Sequence, residues 1–570
     1  MKKFLHSDFL KNVWLLTRSY WSSEEKYKAF ALLLVIIVLS LGQIYALVLL
    51  NKWYQTFYSA LQAYDEAVII QSVADFCFIA GVYICLGVAA YYLKSVLQIR
   101  WRMWMTKKYL IDWLDERTYY LLQMFETETD NPDQRISDDI RLFVENTITL
   151  FVDFIKNVVL LISFIGILWT LSGDLDLNSI GINIVIPNYM VWATIIYAVV
   201  GTYLTDKLGR VLGKLNFIQQ KYEADFRFSM VRLRENSENV AFYQGESYEG
   251  EHFDKRFSTL ITNLWRIINR QKWVVALITG YSQTAIIVAF TIALPRYLAR
   301  QIDLGTLMQI TSAFGRVQDA LSFFVDSYVK IAEWNAIVGR LTTFHVHMQI
   351  VKQEYKGKTV PVGKSNTTDL IVEDVTVKLP NDEVLIDKLN VTFPKASTWL
   401  VKGASGTGKS TLLRVLAGLW PYVEGKVYYP EGKRMFLPQR SYLPLGSLRA
   451  VLLYPGYAGI SDETIKSVLH KVHLPELGEH LDKEEDWSHI FSLGEQQRIA
   501  FARVLLQKPT WLFLDEATSA MDEELEYAMY NLLKQELPNT ALISVGHRST
   551  LNDFHTNKLQ LLGDGKWQIM

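Results

Sequence analysis

The sequence has almost no cysteine. Cys77 and Cys85 are the only two among 570 residues, and both lie in one apolar stretch. On a helix, their spacing in the sequence corresponds to about 12 Å of rise, which is too far for a disulfide bond. A fold held together by disulfide bonds is therefore excluded.

An excess of charge of either sign is also missing. The chain has 58 Lys and Arg residues and 59 Asp and Glu residues, so its formal net charge is −1. This balance gives no reason to expect a nucleic-acid partner, and we predict none. Charged residues make up 21% of the chain and hydrophobic residues 50%. Because 570 residues are too many for one ordinary core, we expect at least two domains. The high share of hydrophobic residues together with a substantial share of charged ones indicates a membrane domain joined to a soluble domain.

Six apolar runs precede residue 345, and each is about long enough to cross a bilayer as a helix. They cover residues 29–50, 73–95, 146–171, 187–206, 273–298 and 304–338. No small-residue cleavage site follows the first run, so we expect a retained helix rather than a signal peptide. Bases and aromatic residues alternate in segment 1–28, which predicts a helix in the membrane interface, with a short packed helix as the alternative.

Lysine and arginine are unevenly distributed among the connecting segments. They are frequent before the first run and in segments 95–145 and 207–272, whereas segment 172–186 has none. By the positive-inside rule, both termini and both long connections lie in the cytoplasm. We expect the long connections to be helices that extend beyond the membrane.

The composition changes after residue 345. Residues 346–368 are polar and predict a linker. From residue 369 to 570, short β-rich runs alternate with helical ones, which is typical of a soluble α/β domain. The predicted fold is therefore an α-helical six-span membrane domain (29–345) fused to an α/β P-loop nucleotide-binding domain (369–570).

A phosphate-binding loop lies between an apolar strand and a helix. Its residues are Gly403, Ala404, Ser405, Gly406, Thr407, Gly408, Lys409, Ser410 and Thr411. The backbone N–H groups of such a loop wrap around phosphates, and the helix N-terminus adds positive potential. Lys409 reaches the β- and γ-phosphates, and the Ser410 hydroxyl binds Mg²⁺. The sequence thus predicts ATP and Mg²⁺ as cofactors.

Two carboxylates follow a second apolar run, Trp511–Leu514. Asp515 suits a role linked to Mg²⁺, and Glu516 can polarise the water that attacks the γ-phosphate. An Asp-Glu pair after an apolar run is common by itself, but its position about 100 residues after a P-loop predicts an ATPase.

The stretch Phe491–Arg498 precedes a helix and resembles the signature motif of ATP-binding cassette (ABC) proteins. The order of P-loop, signature, Asp-Glu pair, Asp522 and His547 is that of the family. The resemblance implies that Gln439 contacts Mg²⁺ and water, and that His547 bonds the γ-phosphate. It also implies that Ser492 and Gly494, with Glu495 beside them, contact nucleotide on the opposite subunit, and that Asp522 links the two sites.

A narrower resemblance covers nearly the whole chain. The stretches Leu419–Pro421, Pro438–Arg449 and Tyr454–Pro455 look like the branch that holds the subfamily D fatty-acyl transporters. The same branch includes bacterial SbmA/BacA-type transporters with a fused ATPase, and the membrane fold it implies is exporter-like. Bacterial members are associated with import of cobalamin, bleomycin and antimicrobial peptides.

The sixth run carries charges at helical spacing. Arg316, Gln318 and Asp319 are candidates for the wall of a polar substrate cavity, because charges at membrane depth face a partner or water. The alternative is structural pairing between Arg316 and Asp319.

Each composite ATP site of this family needs a signature from a second cassette, so the resemblance implies a homodimer. We therefore expect an ATP-hydrolysing transporter of a bacterial inner membrane that imports a bulky hydrophilic solute or peptide by alternating access. Two alternatives stay open. One is an exporter of acyl-CoA or lipid-like substrates, and the other is a peptide-sensing membrane ATPase without transport.

Overall fold

The computed structural model describes residues 7–125, 131–176, 185–355, 362–364, 368–456 and 459–570. The chain divides into two compact units, Met1–Gln349 and Ile350–Met570. The first is helical and the second is an α/β domain, so each is described by itself.

Long helices dominate the first unit. Its helices are α1 (Ser7–Trp21), α2 (Lys26–Ala63), α3 (Glu66–Leu114), α4 (Thr118–Phe125), α5 (Pro132–Gln134), α6 (Ile140–Ser172), α7 (Tyr189–Glu235), α8 (Ser237–Phe242), α9 (Glu246–Leu298) and α10 (Leu304–Tyr355). A π-helical turn, Arg135–Asp139, leads into α6, and a two-stranded antiparallel hairpin, β1 (Leu175–Asp176) with β2 (Val185–Ile186), joins α6 to α7. The predicted long connections are therefore continuations of α3, α7 and α9.

All six predicted spans lie in long helices. Among the described residues, four segments are long and apolar enough to cross a membrane: Lys26–Ala63, Glu66–Met124, Pro132–Ser172 and Glu246–Leu298. Tyr189–Thr205 is a shorter apolar stretch. The sixth predicted span, in α10, is outside this set, and its sequence is interrupted by charged residues.

The predicted linker begins later than expected. Helix α10 continues to Tyr355, so residues 346–355 are helical rather than part of a linker. Phe344, Met348 and Val351 are each at most 2% exposed and recur at helical spacing, which explains the continuation. The prediction of a linker from polar composition missed this apolar stripe.

The core of the helical unit joins α2, α6, α9 and α10. Ile44, Phe164, Ala293 and Val317 belong to one buried cluster, and each comes from a different helix. Helices α7 and α9 also pack against each other, and Tyr197 stacks on Tyr281 with ring centroids 4.5 Å apart. Each tyrosine hydroxyl donates a hydrogen bond to the backbone carbonyl of the other residue, which fixes the two helices in register.

The second unit contains two sheets. Its strands are β3 (Val362–Lys364), β4 (Leu370–Lys378), β5 (Val384–Phe393), β6 (Thr398–Gly403), β7 (Val423–Tyr429), β8 (Arg434–Leu437), β9 (Gly446–Ser447), β10 (Glu484–Glu485), β11 (Trp511–Asp515), β12 (Ala541–Val545), β13 (Asn557–Gly563) and β14 (Lys566–Ile569). The larger sheet has the order β14-β13-β6-β12-β11-β8, and the smaller one β3-β7-β4-β5. The pair β9–β10 is separate.

Helices cover the larger sheet. They are α11 (Lys409–Leu416), α12 (Leu448–Leu453), α13 (Asp462–Lys471), α14 (Trp487–Ile490), α15 (Leu493–Gln507) and α16 (Glu523–Glu536). Strands β6, β12 and β11 are parallel neighbours and form the centre of this sheet. Strand β12 is buried at all five positions, as expected for a strand covered on both faces. The carboxyl ends of these three strands therefore meet at one edge.

Candidate ATP site

The predicted site residues converge at the carboxyl ends of β6, β11 and β12. The loop that contains Lys409 follows β6, Asp515 and Glu516 lie at the end of β11, and His547 follows β12. Because these strands are adjacent and parallel, residues more than 100 positions apart in the sequence lie side by side. This edge is where open α/β sheets bind ligands.

Glycine is required in the P-loop for two different reasons. A Cβ atom on Gly403 would lie 2.6 Å from the Thr407 hydroxyl oxygen and 2.7 Å from the Leu561 carbonyl oxygen. Gly408 is the N-cap of α11 and has φ +93°, a backbone conformation that residues with a side chain rarely adopt. The loop is thus a close-packed backbone turn whose N–H groups lead into a helix N-terminus, which fits a phosphate chain.

Lys409 is held inside this turn. Its side-chain amine donates hydrogen bonds to the carbonyl oxygens of Gly403 (2.9 Å) and Ala404 (2.7 Å). Burial lowers the pKa of Lys409, and the nearby charges of Glu516 and Asp515 oppose that shift. The protonated amine therefore lies against the loop backbone, with three N–H donors and a positive charge that suit the β- and γ-phosphates.

Ser410 and Asp515 form the hydroxyl–carboxylate pair expected for Mg²⁺. The Ser410 hydroxyl donates to the Asp515 carboxylate over 3.0 Å. Burial raises the pKa of Asp515, while the hydrogen bond from Ser410 opposes the rise. Both oxygens are of the hard type that Mg²⁺ prefers, so the donor set fits this ion.

Glu516 lies between two of the other predicted residues. The Gln439 amide donates to one of its carboxylate oxygens over 3.0 Å, and His547 Nε2 lies 3.3 Å from the other. Glu516 has φ +49°, an uncommon conformation for a non-glycine residue. Strained backbone of this kind recurs at functional sites, and here it turns the carboxylate toward Gln439 and His547.

The signature residues build the N-terminus of α15. The Ser492 hydroxyl accepts a hydrogen bond from the Glu495 backbone N–H, and the Glu495 carboxylate accepts one from the Ser492 N–H over 2.8 Å. The Ser492 hydroxyl also lies 2.7 Å from this carboxylate, and that contact lowers the pKa of Glu495. This capping box fixes Ser492 and Gly494 at a helix end with positive potential.

The remaining predicted nucleotide residues lie nearby or act as caps. Thr407 donates to the Ala404 carbonyl oxygen over 2.9 Å, Ser405 is exposed at the loop tip, and Thr411 is half-buried on α11. Asp522 is the N-cap of α16, where its carboxylate accepts from the Leu525 N–H over 2.7 Å.

One buried carboxylate near the site was not predicted. Glu526 is 1% exposed and accepts hydrogen bonds from the hydroxyls of Thr518 and Thr550. Arg548 lies 3.6 Å from the same carboxylate. Glu526 thus joins the segment after Glu516 to the segment after His547. Its position one helical turn after Asp522, on the apolar face of α16, was the available sequence signal.

The three cavity candidates on α10 do not share one environment. The side chains of Arg316 and Asp319 are 43% and 66% exposed and lie 3.9 Å apart. Gln318 is buried at 7%, close to Val317 and Ala320 of the helical core. Of the three candidates, Arg316 and Asp319 are the ones on an accessible face of the protomer.

The comparisons with known proteins agree with this architecture. The family model for ABC transporter transmembrane region 2 matches residues 16–298, and the ABC transporter model matches residues 386–519. A solved bacterial Atm1-family ABC exporter with ATP bound superimposes with a TM-score of 0.71 at 16% identity, covering 95% of this chain and 94% of that one. The exporter-like fold is thereby confirmed.

Relatives match along nearly the whole chain. An uncharacterised ABC transporter ATP-binding protein of Haemophilus influenzae is 38% identical over 98% of this chain and 93% of its own length. The inner membrane ABC transporter ATP-binding protein YddA of Escherichia coli is 32% identical over 94% of each chain. The human lysosomal cobalamin transporter ABCD4 is 30% identical over 84% of this chain and 82% of its own.

A P-loop ATPase domain fused to a helical membrane domain defines an ATP-driven membrane transporter. The chain belongs to the ABC transporter family and is related to its subfamily D members. Its cassette binds ATP, and its ATPase activity is coupled to transport.

Proposed function

We propose that this protein is a homodimeric importer of bulky hydrophilic solutes such as cobalamin, bleomycin or antimicrobial peptides in a bacterial inner membrane. ATP binding and hydrolysis at the composite sites drive alternating access of the membrane domain. The observation that carries the hydrophilic substrate class is the charged face of α10.

Charged side chains on α10 are exposed in the protomer, while the adjoining face is buried. Arg316, Asp319 and Lys330 are accessible, whereas Ala313 and Val317 are fully buried in the helical core. Charged groups are costly when they face lipid, and they are tolerated when they face a watery cavity. A cavity lined by this face suits a polar solute and does not suit an acyl chain.

The relatives support the same substrate class. Human ABCD4 is described as a lysosomal cobalamin transporter, and cobalamin is a large polar molecule. The resemblance to SbmA/BacA-type proteins points the same way. The Escherichia coli relative is an inner membrane protein, which supports a bacterial inner membrane location.

A second copy of the chain is favoured by uncovered apolar surfaces. On the long extensions of α7 and α9, Phe228 is 67% exposed and Trp265 is 61% exposed. With the proposed topology these positions lie outside the membrane, so lipid does not cover them. A groove on α3, lined by Ile99, Met103 and Leu110 among others, is also open. Exposed apolar surface of this kind marks a protein interface.

Helix α1 supports contact with the lipid interface. Leu10, Trp14 and Leu15 are exposed, whereas Leu16 and Tyr20 are buried. Tyr20 stacks on Trp101 of α3 with ring centroids 5.2 Å apart. An amphipathic helix anchored by one face leaves its other apolar side chains to the membrane surface.

In the cassette, Lys409 and the P-loop bind the phosphates of ATP, and Ser410 and Asp515 hold Mg²⁺. Mg²⁺ neutralises phosphate charge when bound. Glu516 orients the attacking water, Gln439 and His547 position Glu516, and Ser492 with Gly494 face the nucleotide of the second cassette. Asp522 lies at the start of α16, where it can link the two sites.

The outer end of the membrane domain is suited to opening. A polar ladder connects α2 with the start of α10, and its members are Asn51, Gln55, Ser59, Gln62, Asp303, Leu304, Thr306 and Gln309. In it, Asn51 donates to the Gln309 carbonyl oxygen over 3.0 Å, and the Leu304 N–H donates to Gln62 over 2.8 Å. Water can replace such contacts at modest cost, as an outward-opening gate requires.

The test is ATP-driven cobalamin flux in proteoliposomes. Cobalamin is loaded inside, and ATP and Mg²⁺ are added to cassettes that face the bath. We expect ATP-dependent release into the bath. The Glu516→Gln protein is the control, and it should bind ATP but lose turnover by about 100-fold or more because its water is no longer activated.

The other outcomes are equally informative. Release of bleomycin or a peptide, but not of cobalamin, would narrow the substrate within the proposed class. Accumulation of any of these from bath to lumen would reverse the direction. Movement of acyl-CoA alone would replace the substrate class, and ATPase stimulated by peptide without flux would indicate a sensor.

A further inference from the structure

Gln497 makes three hydrogen bonds to two different segments of the ATP site. It lies in the second turn of α15 and is 3% exposed. Its side-chain NH₂ donates to the Gln439 carbonyl oxygen over 3.2 Å and to the Ser519 hydroxyl over 3.2 Å. Its amide oxygen accepts from the Ala520 N–H over 3.0 Å.

These contacts connect three functional segments. Helix α15 is capped by Ser492, whose proposed partner is the nucleotide of the second cassette. Gln439 carries the amide that contacts Glu516 over 3.0 Å. Ser519 and Ala520 lie between Glu516 and Asp522 in the sequence. A single side chain therefore joins the signature helix to both the Gln439 segment and the segment 519–522.

We propose that Gln497 is a positioning residue for ATP hydrolysis, which holds the Gln439 segment and the segment 519–522 in register with the signature helix. An α-helix is stiff over the five residues from Ser492 to Gln497, about 7.5 Å. A displacement of the helix N-terminus is thus passed to the backbone of Gln439 through one hydrogen bond. The inference rests on the ATP hydrolysis of the proposed function and is independent of substrate and direction.

The chemistry of the amide explains why this residue type is needed. A glutamine offers donors and an acceptor on one planar group, and this site uses both kinds. The two NH₂ contacts and the oxygen contact lie in a buried place where a lost partner is not replaced by bulk water. A hydrophobic residue of similar size keeps the packing and loses all three bonds.

Another glutamine of the same helix provides a matched control. The Gln507 amide donates to the Tyr454 carbonyl oxygen over 2.8 Å, at the end of α15 away from Ser492. Gln507 shares with Gln497 the helix, the residue type and a donor bond to a backbone carbonyl. That bond does not reach Gln439 or the segment 519–522.

The experiment compares Gln497→Glu, Gln497→Met and Gln507→Glu in the full-length protein in proteoliposomes. For Gln497→Glu at pH 8, we expect the kcat for ATP to fall about tenfold and the KM to change less than about twofold. The carboxylate keeps the contact with the Ala520 N–H but opposes the Gln439 carbonyl oxygen. Gln497→Met should lose a similar factor, and Gln507→Glu should stay within about twofold of the parent.

A pH profile separates positioning from general damage. Protonation of the introduced carboxyl restores a donor toward Gln439, and burial favours the neutral form. The rate of Gln497→Glu relative to the parent should therefore rise as the pH falls from 8 to 6, whereas Gln497→Met should show no such recovery.

Three outcomes would overturn the inference: parental kcat in both Gln497 variants, an equal loss in Gln507→Glu, or a loss confined to KM. If Gln497→Glu does not fold, Gln497→Met decides alone through its kcat. Failure of cobalamin flux with normal ATPase activity would contradict the proposed substrate and leave this inference standing.

Discussion

The two units of the chain use polar residues in different ways. In the cassette, Glu516, Gln439 and His547 come from three separate segments and meet in one connected set. In the helical unit, polar groups connect neighbouring helices in separate contacts, as Asn51 does with Gln309 and Arg296 with the Leu171 carbonyl oxygen.

This difference shows where the chemistry of each unit is completed. The cassette brings most of its ATP-site residues together within one chain. The helical unit leaves charged and aromatic side chains on its surface, and a second copy, water or lipid must complete their environment. Loss of one cassette residue should therefore affect several segments, whereas loss of one helix contact should affect one helix pair.

The largest effect is expected from breaking the buried carboxylate network of the cassette. Glu526→Ala removes the acceptor of Thr518 and Thr550 and leaves Arg548 without its carboxylate partner. Removal of one partner from a buried charged network lowers the free energy of unfolding by about 3 kcal/mol. We expect a clear fall in the thermal unfolding midpoint of the cassette in the full-length protein, measured by limited proteolysis.

Glu523→Ala is the control for this prediction, because Glu523 is exposed on the same helix. Its midpoint should match that of the parent. An equal fall in both variants would mean that the helix, rather than the Glu526 network, limits stability.

The second effect concerns the close approach of two helices in the membrane domain. A Cβ atom on Gly305 would lie 2.0 Å from the Gln55 carbonyl oxygen, so α2 and α10 must separate in Gly305→Ala. Such overpacking destabilises the packed arrangement of α2 and α10 by about 2 kcal/mol, which shifts the equilibrium between packed and separated helices about 30-fold toward separation. The measurement is disulfide formation between Ser59→Cys and Asp303→Cys after replacement of both native cysteines.

Gly81→Ala provides the comparison, because nothing lies within 4 Å of a Cβ atom at that position on α3. Cross-linking should fall in Gly305→Ala and stay unchanged in Gly81→Ala. Unchanged cross-linking in both would show that the polar ladder tolerates separation of the backbones.

The cassette site was largely predictable because its determinants are local. The P-loop, Asp515 and Glu516 come at the ends of apolar strands, and parallel strands bring their carboxyl ends together. His547 and Gln439 were predicted from the resemblance to ABC proteins. The role of Gln497 within the signature stretch and the place of Glu526 were not predicted, because each is a single polar residue on a mostly buried helix face. No local pattern in the sequence shows which distant backbone such a residue contacts.

The membrane domain was predictable in its helices and less so in their faces. The length of the apolar runs predicted the helices. The polar composition after residue 345, however, led to the prediction of a linker where α10 continues to Tyr355. Gln318 lies next to Asp319 in the sequence yet is buried, because two successive helical positions point about 100° apart.

The third prediction concerns the pH dependence of cassette stability. His555 is 5% exposed, with Nδ1 2.7 Å from the Leu551 carbonyl oxygen and Nε2 2.9 Å from the Ser544 hydroxyl. Burial lowers the pKa of His555 to about 4, with a smaller contribution from the charge of Lys402. As the pH falls, this histidine therefore takes up a proton in the unfolded chain before it does so in the folded protein. The free energy of unfolding decreases as the pH falls from about 6.5 toward 4.

Between pH 7 and 5 the free energy of unfolding should decrease by about 2 kcal/mol because of His555. His555→Gln should remove that part of the pH dependence. The measurement is the unfolding midpoint of the full-length protein at the two pH values. His480→Gln, at an exposed position, should keep the parental slope. A parental slope in His555→Gln would assign the pH dependence to other groups.

The smallest effect is expected from an ion cluster on the cassette surface, which resembles the Glu526 network in charge but not in burial. Arg449 contacts Asp462 over 2.5 Å and Asp482 over 2.9 Å. Its hydrogen bonds lower the pKa of both carboxyls, so their contribution to stability is present at neutral pH and lost as the pH falls through those lowered values. Because water and salt screen exposed pairs, Arg449→Met should shift the unfolding midpoint by about 1 °C, and about 1 M salt should remove the difference. A shift as large as that of Glu526→Ala would mean that charge geometry, rather than burial, determines how much a polar network stabilises this domain.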